Sequence, residues 1–401
     1  MEKHYLGESR SLTVAGDAYE RARQQGVACA GEMDRAASSI GSIVVEPRRV
    51  GARAHEILSG VGLGVAGAYY LARHRRALVD HANGKYWKAH RGLAEGAGKP
   101  LPVMFGLGAV PEIVGAQLSF TMGCTAIAIA PSASATGAAR IAYNHDFPPR
   151  FGRYNFARRN LPTDGYASIC LAYPIMVGCL AGVNERGFAV TLNHAFSTDY
   201  EGRPGLLLTT LVQDALDRCA TVADAIELFS RAPVTNGAIL TIADATGERA
   251  AVELSCTASR VRRPTGPLLV SFNKYRHPEM ERYEVPPGAV STGLVPGIPL
   301  HESNIERARR WDELEASLPA RFDDADIRAV MTDHRGGRGD SNSICRHDDP
   351  LSETLWSAIL DTGSRSMRVV FGHACDGPYR TFEIDTPVPP RARTALDARA
   401  N

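Results

Sequence analysis

Met122-Gly123-Cys124-Thr125-Ala126-Ile127-Ala128-Ile129-Ala130, a turn cluster from Pro131 to Gly137, and then Ala139-Arg140-Ile141-Ala142-Tyr143-Asn144 form the stretch on which the fold turns. Its two runs are small, apolar and β-branched, and Pro, Ser and Gly lie between them, so it reads as strand, turn, strand. The Gly123-Cys124 step sits where a helical period gives way to the first of these strands. Most lone cysteines are small core residues. A Gly-Cys step at a strand start has a further use, because a thiolate can attack the preceding carbonyl and move the acyl group from N to S. Glycine has no Cβ to obstruct that attack and tolerates a strained backbone. Hydrolysis of the resulting ester frees a cysteine with its own α-amine, whose reference pKa of about 7.7–8.0 suits a general base. Nucleophile and base then belong to one residue, and no separate histidine is required.

Working outward, strand pairs recur at Ile239–Ala243 with Ala250–Leu254, around Thr246-Gly247, and at Leu355–Leu360 with Met367–Phe371, around Thr362-Gly363. Leu268–Phe272 is a further strand, opened by Pro267. Helices are expected between them: Leu206 to Arg218, a capped helix from Thr221-Val-Ala-Asp224 to Arg231, one opened by a Ser303-Asn-Ile-Glu306 capping box, and one capped by Asp324. The first 120 residues read mainly as helix, including Ala66 to Asp80 and Tyr86 to Glu95, with another helix start at Pro111. Hairpins with helices inserted between them make the class α+β, antiparallel sheets covered by helices. Residues 376–401, rich in Pro, Arg and Ala, read as a loose tail.

The chain has 401 residues, with 45 Lys+Arg against 44 Asp+Glu, so its net charge of +1 excludes the basic balance of a general nucleic-acid binder. A hydrophobic content of 44% and a charged content of 22% exclude wholesale disorder. The 8 cysteines include no CxxC pair, which fits a reducing compartment. The start has no apolar signal region, and the Gly-interrupted apolar run Ile57–Ala72 is shorter than a membrane span, so a cytoplasmic protein with no membrane partner is expected.

Gly62-x-Gly64-x-x-Gly67 fits a dinucleotide fingerprint but lacks the preceding strand, and close helix packing explains it better. The 12 histidines show no ligand spacing, and His145, His194, His334 and His347 read as surface or hydrogen-bonding residues. No metal or other cofactor is expected. Arg335 to Asp340 reads as a solvated basic turn, and 306–310 as the exposed face of a helix.

Taken together, the chain resembles the acyl-coenzyme A:isopenicillin N acyltransferase family of self-processing cysteine N-terminal nucleophile (Ntn) hydrolases, and more distantly the choloylglycine hydrolases. The resemblance rests on Gly123-Cys124-Thr125, on Asn144-His145-Asp146, and on the segment Gly182-Val-Asn184-Glu-Arg-Gly187 to Asn193. It continues through Leu268 to Asn273, Asp333-His334, Ser343-Ile-Cys345-Arg346-His347 and the run from Thr354. Upstream, Arg91 to Gly96 and Tyr19 to Gly26 are similar to the family's pro-segment.

The resemblance implies a four-layer αββα sandwich with a helical N-terminal pro-segment. It implies cleavage between Gly123 and Cys124, dividing the chain into a small chain 1–123, which stays associated, a catalytic core 124–375 and the tail 376–401. Cys124 is then the nucleophile, Asp146 the residue holding its amine, Asn273 and Asn193 the oxyanion donors, and Ser343 a supporting residue. Two departures bear on the substrate pocket: Tyr143 stands where many relatives carry Arg, and Ile344 follows Ser343, leaving Arg346 as the nearest arginine.

The expected activity is acyl transfer at the amide bond of a small N-acyl compound through a Cys124 thioester, ending in hydrolysis or in transfer to an amine. An acyl-CoA-dependent N-acyltransferase is the alternative. A reading of another class, an unprocessed non-catalytic scaffold, expects Cys124 to be buried without polar neighbours.

Overall fold

The computed structural model describes residues 10–44, 52–113, 123–199, 204–290, 297–347 and 351–385. Two sheets form its centre. The larger contains β1 (Ser11–Gly16), β4 (Phe156–Pro162), β5 (Ser168–Ala172), β6 (Ala181–Asn184), β7 (Ala189–Ala195), β8 (Gly237–Ala243), β9 (Arg249–Leu254) and β10 (Ser259–Arg262), side by side in that order. The smaller runs β11 (Leu268–Ser271), β2 (Gly123–Ile129), β3 (Arg140–Phe147), β12 (Glu353–Asp361), β13 (Ser366–Phe371) and β14 (Arg380–Glu383). Neighbouring strands are antiparallel except β1 and β4, which pair in parallel from Ser11 opposite Ala157 to Gly16 opposite Pro162.

Strand alternation assigns the faces. Cys124, Ala126 and Ala128 of β2, with Ile141 and Tyr143 of β3, join the core between the sheets. Ile127 and Ile129 turn the other way, toward Trp311, Ile327, Val330 and Met331 on α7 (Glu302–Glu315) and α8 (Asp324–Met331). On the far side of the larger sheet lie α5 (Leu208–Arg218) and α6 (Val222–Arg231). The layers are therefore helix, sheet, sheet, helix, the αββα sandwich that the resemblance implies. The continuously buried β2 and β7 follow from this layering, since each is covered on both faces.

The N-terminal helices α1 (Ala18–Val44), α2 (Ala52–Asp80), α3 (Lys85–Gly96) and α4 (Leu101–Ile113) precede the cysteine. A Cβ at Gly67 would lie 1.9 Å from the Pro102 carbonyl oxygen, so this glycine allows α2 and α4 to touch backbone to backbone. Buried charges tie the segment to α5. Arg21 and Lys85 reach Asp217 at 2.9 and 2.8 Å, and the Tyr86 hydroxyl donates to Asp214 at 3.0 Å.

Several boundaries differ from the sequence reading. Pro111 lies near the end of α4 rather than opening a helix. The cap of α8 is Asp323, in a reciprocal box with Asp326, because the chain turns one residue earlier than expected. The hydroxyl of Ser303 donates to the Ser341 carbonyl from within α7 instead of capping it. The N-terminal segment is not wholly helical, since it supplies β1, and the region after 376 supplies β14 before the described residues end. The Thr221–Asp224 box is present as expected. Among the described residues no helix is long and apolar enough to cross a membrane.

Candidate active site

The register of β2 against β3 sets Cys124 opposite His145 and Gly123 opposite Asp146. Directly opposed residues share a face. Cys124 and His145 therefore face the space between the sheets, with Tyr143 two residues before His145. Gly123 and Asp146 face the α7–α8 side.

Cys124 is 1% exposed, but its neighbours are polar. The Tyr143 hydroxyl donates to its Sγ at 3.2 Å and also to the Leu192 carbonyl. His145 Nδ1 lies 3.7 Å from the sulfur, while Nε2 of the same ring meets the Tyr173 hydroxyl at 3.3 Å. The Cys124 N–H donates to Asn273 Oδ1 at 2.6 Å, and its carbonyl accepts from Arg307 Nη1 at 2.6 Å. Arg307 also donates to Thr125 Oγ1 at 3.0 Å, Asn304 Oδ1 at 2.7 Å and Asn273 Oδ1 at 3.3 Å. A guanidinium suits this place because its planar fork offers five donors and no acceptor.

Burial, reinforced by the Asp146 charge, pushes the Cys124 thiol up to about 11. Burial also raises the Asp146 carboxyl, against the pull of Arg346 and Arg307. It lowers Arg307 to about 10 and, with help from His194, His145 to about 3. The imidazole beside the sulfur is therefore neutral at ordinary pH.

Asp146 accepts from the Thr354 hydroxyl at 2.8 Å, and its Oδ2 lies 4.0 Å from Arg346 Nη1. This pair explains Gly123. Its φ lies outside the left-handed region, so no special backbone is needed there, but a Cβ would sit 2.4 Å from Arg346 Nη1 and 2.8 Å from Asp146 Oδ2. Gly123→Ala is expected to push these groups aside, destabilise the fold by about 1–3 kcal/mol as overpacking does, and slow any scission at this step. Thermal unfolding and chain integrity on a denaturing gel check both effects.

The expected site residues separate into two sets. Cys124, Tyr143, Asp146, Asn273 and Arg346 gather about the Gly123-Cys124 step. Asn193 donates from Nδ2 to the Ser271 carbonyl at 3.3 Å, and its Oδ1 has no partner among the described residues, but it makes no hydrogen bond with Cys124. Ser343 exchanges hydrogen bonds with Asp340, both at 3.0 Å, within its own turn.

Asn273 holds the cysteine nitrogen in the uncut chain. Its Oδ1 receives two donors, which fixes the amide's orientation, and its Nδ2 donates to the His194 carbonyl at 2.8 Å. That bond uses one of the two hydrogens on Nδ2.

The sequence reading missed Arg307, placed on an exposed face but in fact buried, and His145 and His194, also buried. One signal was present: Asn304, Arg307 and Trp311 recur at helical spacing and form the buried stripe of α7.

The chain matches the model of the acyl-coenzyme A:6-aminopenicillanic acid acyl-transferase family over residues 136–375, more than half its length and beginning just after the cysteine strand. No curated protein matches it. Among solved structures, it is similar to a Caenorhabditis elegans N-acylethanolamine-hydrolyzing acid amidase ortholog, with 16% identity, 60% of this chain and 93% of that one covered, and a TM-score of 0.42. A conjugated bile acid hydrolase variant from Clostridium perfringens gives 13% identity, coverage of 66% and 93%, and a TM-score of 0.41. Penicillin V acylase from Agrobacterium tumefaciens gives 15%, coverage of 65% and 86%, and 0.39. By the extent of the family match, the chain belongs to the acyl-coenzyme A:6-aminopenicillanic acid acyl-transferase family.

Proposed function

We propose that the protein cuts itself between Gly123 and Cys124 and then acts as a cysteine Ntn enzyme on the amide bonds of small N-acyl compounds. The observation that carries this reading is the polar cage around one peptide step, with Asn273 on the cysteine nitrogen, Arg307 on its carbonyl, and Tyr143 and His145 on its sulfur. The scaffold reading required apolar surroundings for the sulfur, and these contacts count against it.

In the first stage Sγ attacks the Gly123 carbonyl carbon. The S–C bond forms, the C–N bond breaks, and the thiol proton goes to the departing nitrogen. Water then hydrolyses the thioester, leaving a Gly123 carboxylate and a Cys124 α-amine. Before that event the nitrogen is an amide and cannot act as a base, and the neutral His145 ring beside the sulfur can accept a hydrogen bond from the thiol.

In the second stage the freed amine, still beside Asn273 and near Asp146, takes the thiol proton as Cys124 attacks the substrate amide. The amine product leaves, and water or an acceptor amine takes the acyl group. Both outcomes share this first half-reaction. The family's description favours a second version in which an acyl-coenzyme A thioester is the donor. Mass spectrometry of the purified protein tests the first stage, with a chain beginning at Cys124 as the expected result. A panel of N-acyl amines and acyl thioesters, with and without added amines, tests the second; inertness toward the whole panel would sink it.

The proposal also keeps 1–123 bound after cleavage, and Asp217 supports this. Burial raises its carboxyl, but Arg21 and Lys85 outweigh that and hold it below the usual carboxylate range. A carboxyl depressed in the folded state contributes stability above its unfolded pKa and loses it as pH falls through the folded value. Association of the two chains should therefore weaken under acid, below about pH 4. Asp217→Asn should weaken it already at pH 7, and gel filtration of the cleaved protein measures both.

A further inference from the structure

Outside the centre described above, four residues from three separate segments converge: His334 after α8, Cys345 and His347 in the loop before β12, and Cys375 after β13. Each offers one ligand atom, and these atoms all lie within 4.8 Å of one another. His347 Nε2 is 3.3 Å from Cys345 Sγ and 3.4 Å from Cys375 Sγ. Around a tetrahedral zinc ion, with Zn–S of about 2.3 Å and Zn–N of about 2.0–2.1 Å, neighbouring sulfur and nitrogen ligands stand about 3.6 Å apart. The observed separations differ from that edge by a few tenths of an ångström.

We propose that His334, Cys345, His347 and Cys375 form a structural Cys2His2 zinc site. Two thiolates and two imidazoles select zinc, because soft sulfur disfavours magnesium and calcium and a closed tetrahedral set suits an ion with no geometric preference of its own. His334 Nε2 is buried with no hydrogen-bond partner among the described residues, as a nitrogen reserved for a metal would be. The rings of His334 and His347 meet edge to face, with centroids 4.7 Å apart.

The surroundings are shaped for that meeting. Gly339, at φ +92°, passes so close that a Cβ would fall 2.7 Å from His347 Cδ2 and 3.1 Å from His334 Cδ2. His373 stacks on His347 at 3.8 Å and is itself held by Asp376 at 3.1 Å and Glu353 at 3.4 Å. Outer groups of this kind fix ligand orientation. A Cys345–Cys375 disulfide would account for two of the four residues but not for the convergence of both imidazoles.

The site sits behind the strip 344–347, not at the reacting atoms. Cys345 and His347 alternate with Ile344 and Arg346, both buried; the Ile344 carbonyl accepts from Asn144 at 2.9 Å, and Arg346 faces Asp146 and Gly123. The metal would thus pin the strip that carries Arg346 into the centre. The proposal does not depend on the reaction assigned above.

Elemental analysis of the full chain purified without added metal should find about one zinc per chain, the stoichiometry of a single closed site. Cys345→Ser and His334→Ala should each lose it, and Cys256→Ser should keep it. Should those variants fail to fold, wild-type protein stripped by chelator and titrated with Co2+ should develop the intense visible and thiolate charge-transfer bands of a tetrahedral sulfur–nitrogen site. Absence of zinc together with a bandless Co2+ titration overturns the proposal. So does a Cys345–Cys375 disulfide found by peptide mapping without reductant.

Discussion

Cys124→Ala protein should remain a single uncut chain and show no turnover. The substitution removes one sulfur atom from a fully enclosed position and leaves its frame in place. The Cys124 N–H still reaches Asn273 Oδ1, its carbonyl still receives Arg307, and Ala126 and Ala128 already occupy the same face of β2. The fold should therefore survive with a modest loss of stability, while scission and catalysis both disappear. For an enzyme whose nucleophile and base are one residue, the fall is on the order of 10⁶-fold in rate, the scale of removing a whole catalytic group. Intact-mass measurement checks the first part and the substrate panel the second. Scission persisting at the 123/124 step in this variant would exclude sulfur as the attacking atom.

Arg307→Met should produce the second large effect, and through a different channel. Methionine nearly fills the volume of the arginine stem but provides none of its donors. The carbonyl of Cys124 loses its charged partner, and Thr125, Asn273 and Asn304 each lose a donor in a place that water does not reach. Each buried acceptor left without a partner typically costs about 1–3 kcal/mol. Asn273 Oδ1 would also be freed to turn away from the cysteine nitrogen, so scission should slow even in molecules that fold. Arg307→Lys should recover part of the stability but little of the scission, because one ammonium cannot serve acceptors spread across the guanidinium plane. Denaturant unfolding and the time course of chain cleavage separate the two effects. Unchanged cleavage in both variants would remove Arg307 from the centre.

The parts of the fold that the sequence made legible are those with a local cause. β2 and β3 show β-branched and small residues on either side of a Pro-Ser-Gly turn, and α6 shows a reciprocal Thr221–Asp224 cap. The site was half legible for the same reason. Gly123-Cys124 and Asp146 lie on two strands joined by one turn, so a reading of consecutive strands already places them side by side. Arg307 was hidden because Glu306, Arg309 and Arg310 surround it with charges that do face water, and a run of charges reads as a solvated face. Its burial depends on α7 lying over the outer face of the smaller sheet, which no local pattern announces. The histidine and cysteine cluster was hidden for another reason. Its four members come from three turns between residues 334 and 375 at no regular ligand spacing, and only the packing of α8 against β3 and the hairpin of β12 with β13 brings them together.

The parallel seam between β1 and β4 has a temporal consequence. Its first strand leaves the ribosome well ahead of its mate, which follows about twelve dozen residues later, so their union must wait for a long stretch of polypeptide and bear a large loop-closure penalty. The bond at Gly123-Cys124 lies between the two, and its strand neighbour β3 also comes later in the chain. Under the proposed self-cleavage, scission confined to a finished scaffold would make each released terminus a certificate of maturity, recording that the polypeptide had already closed around β1.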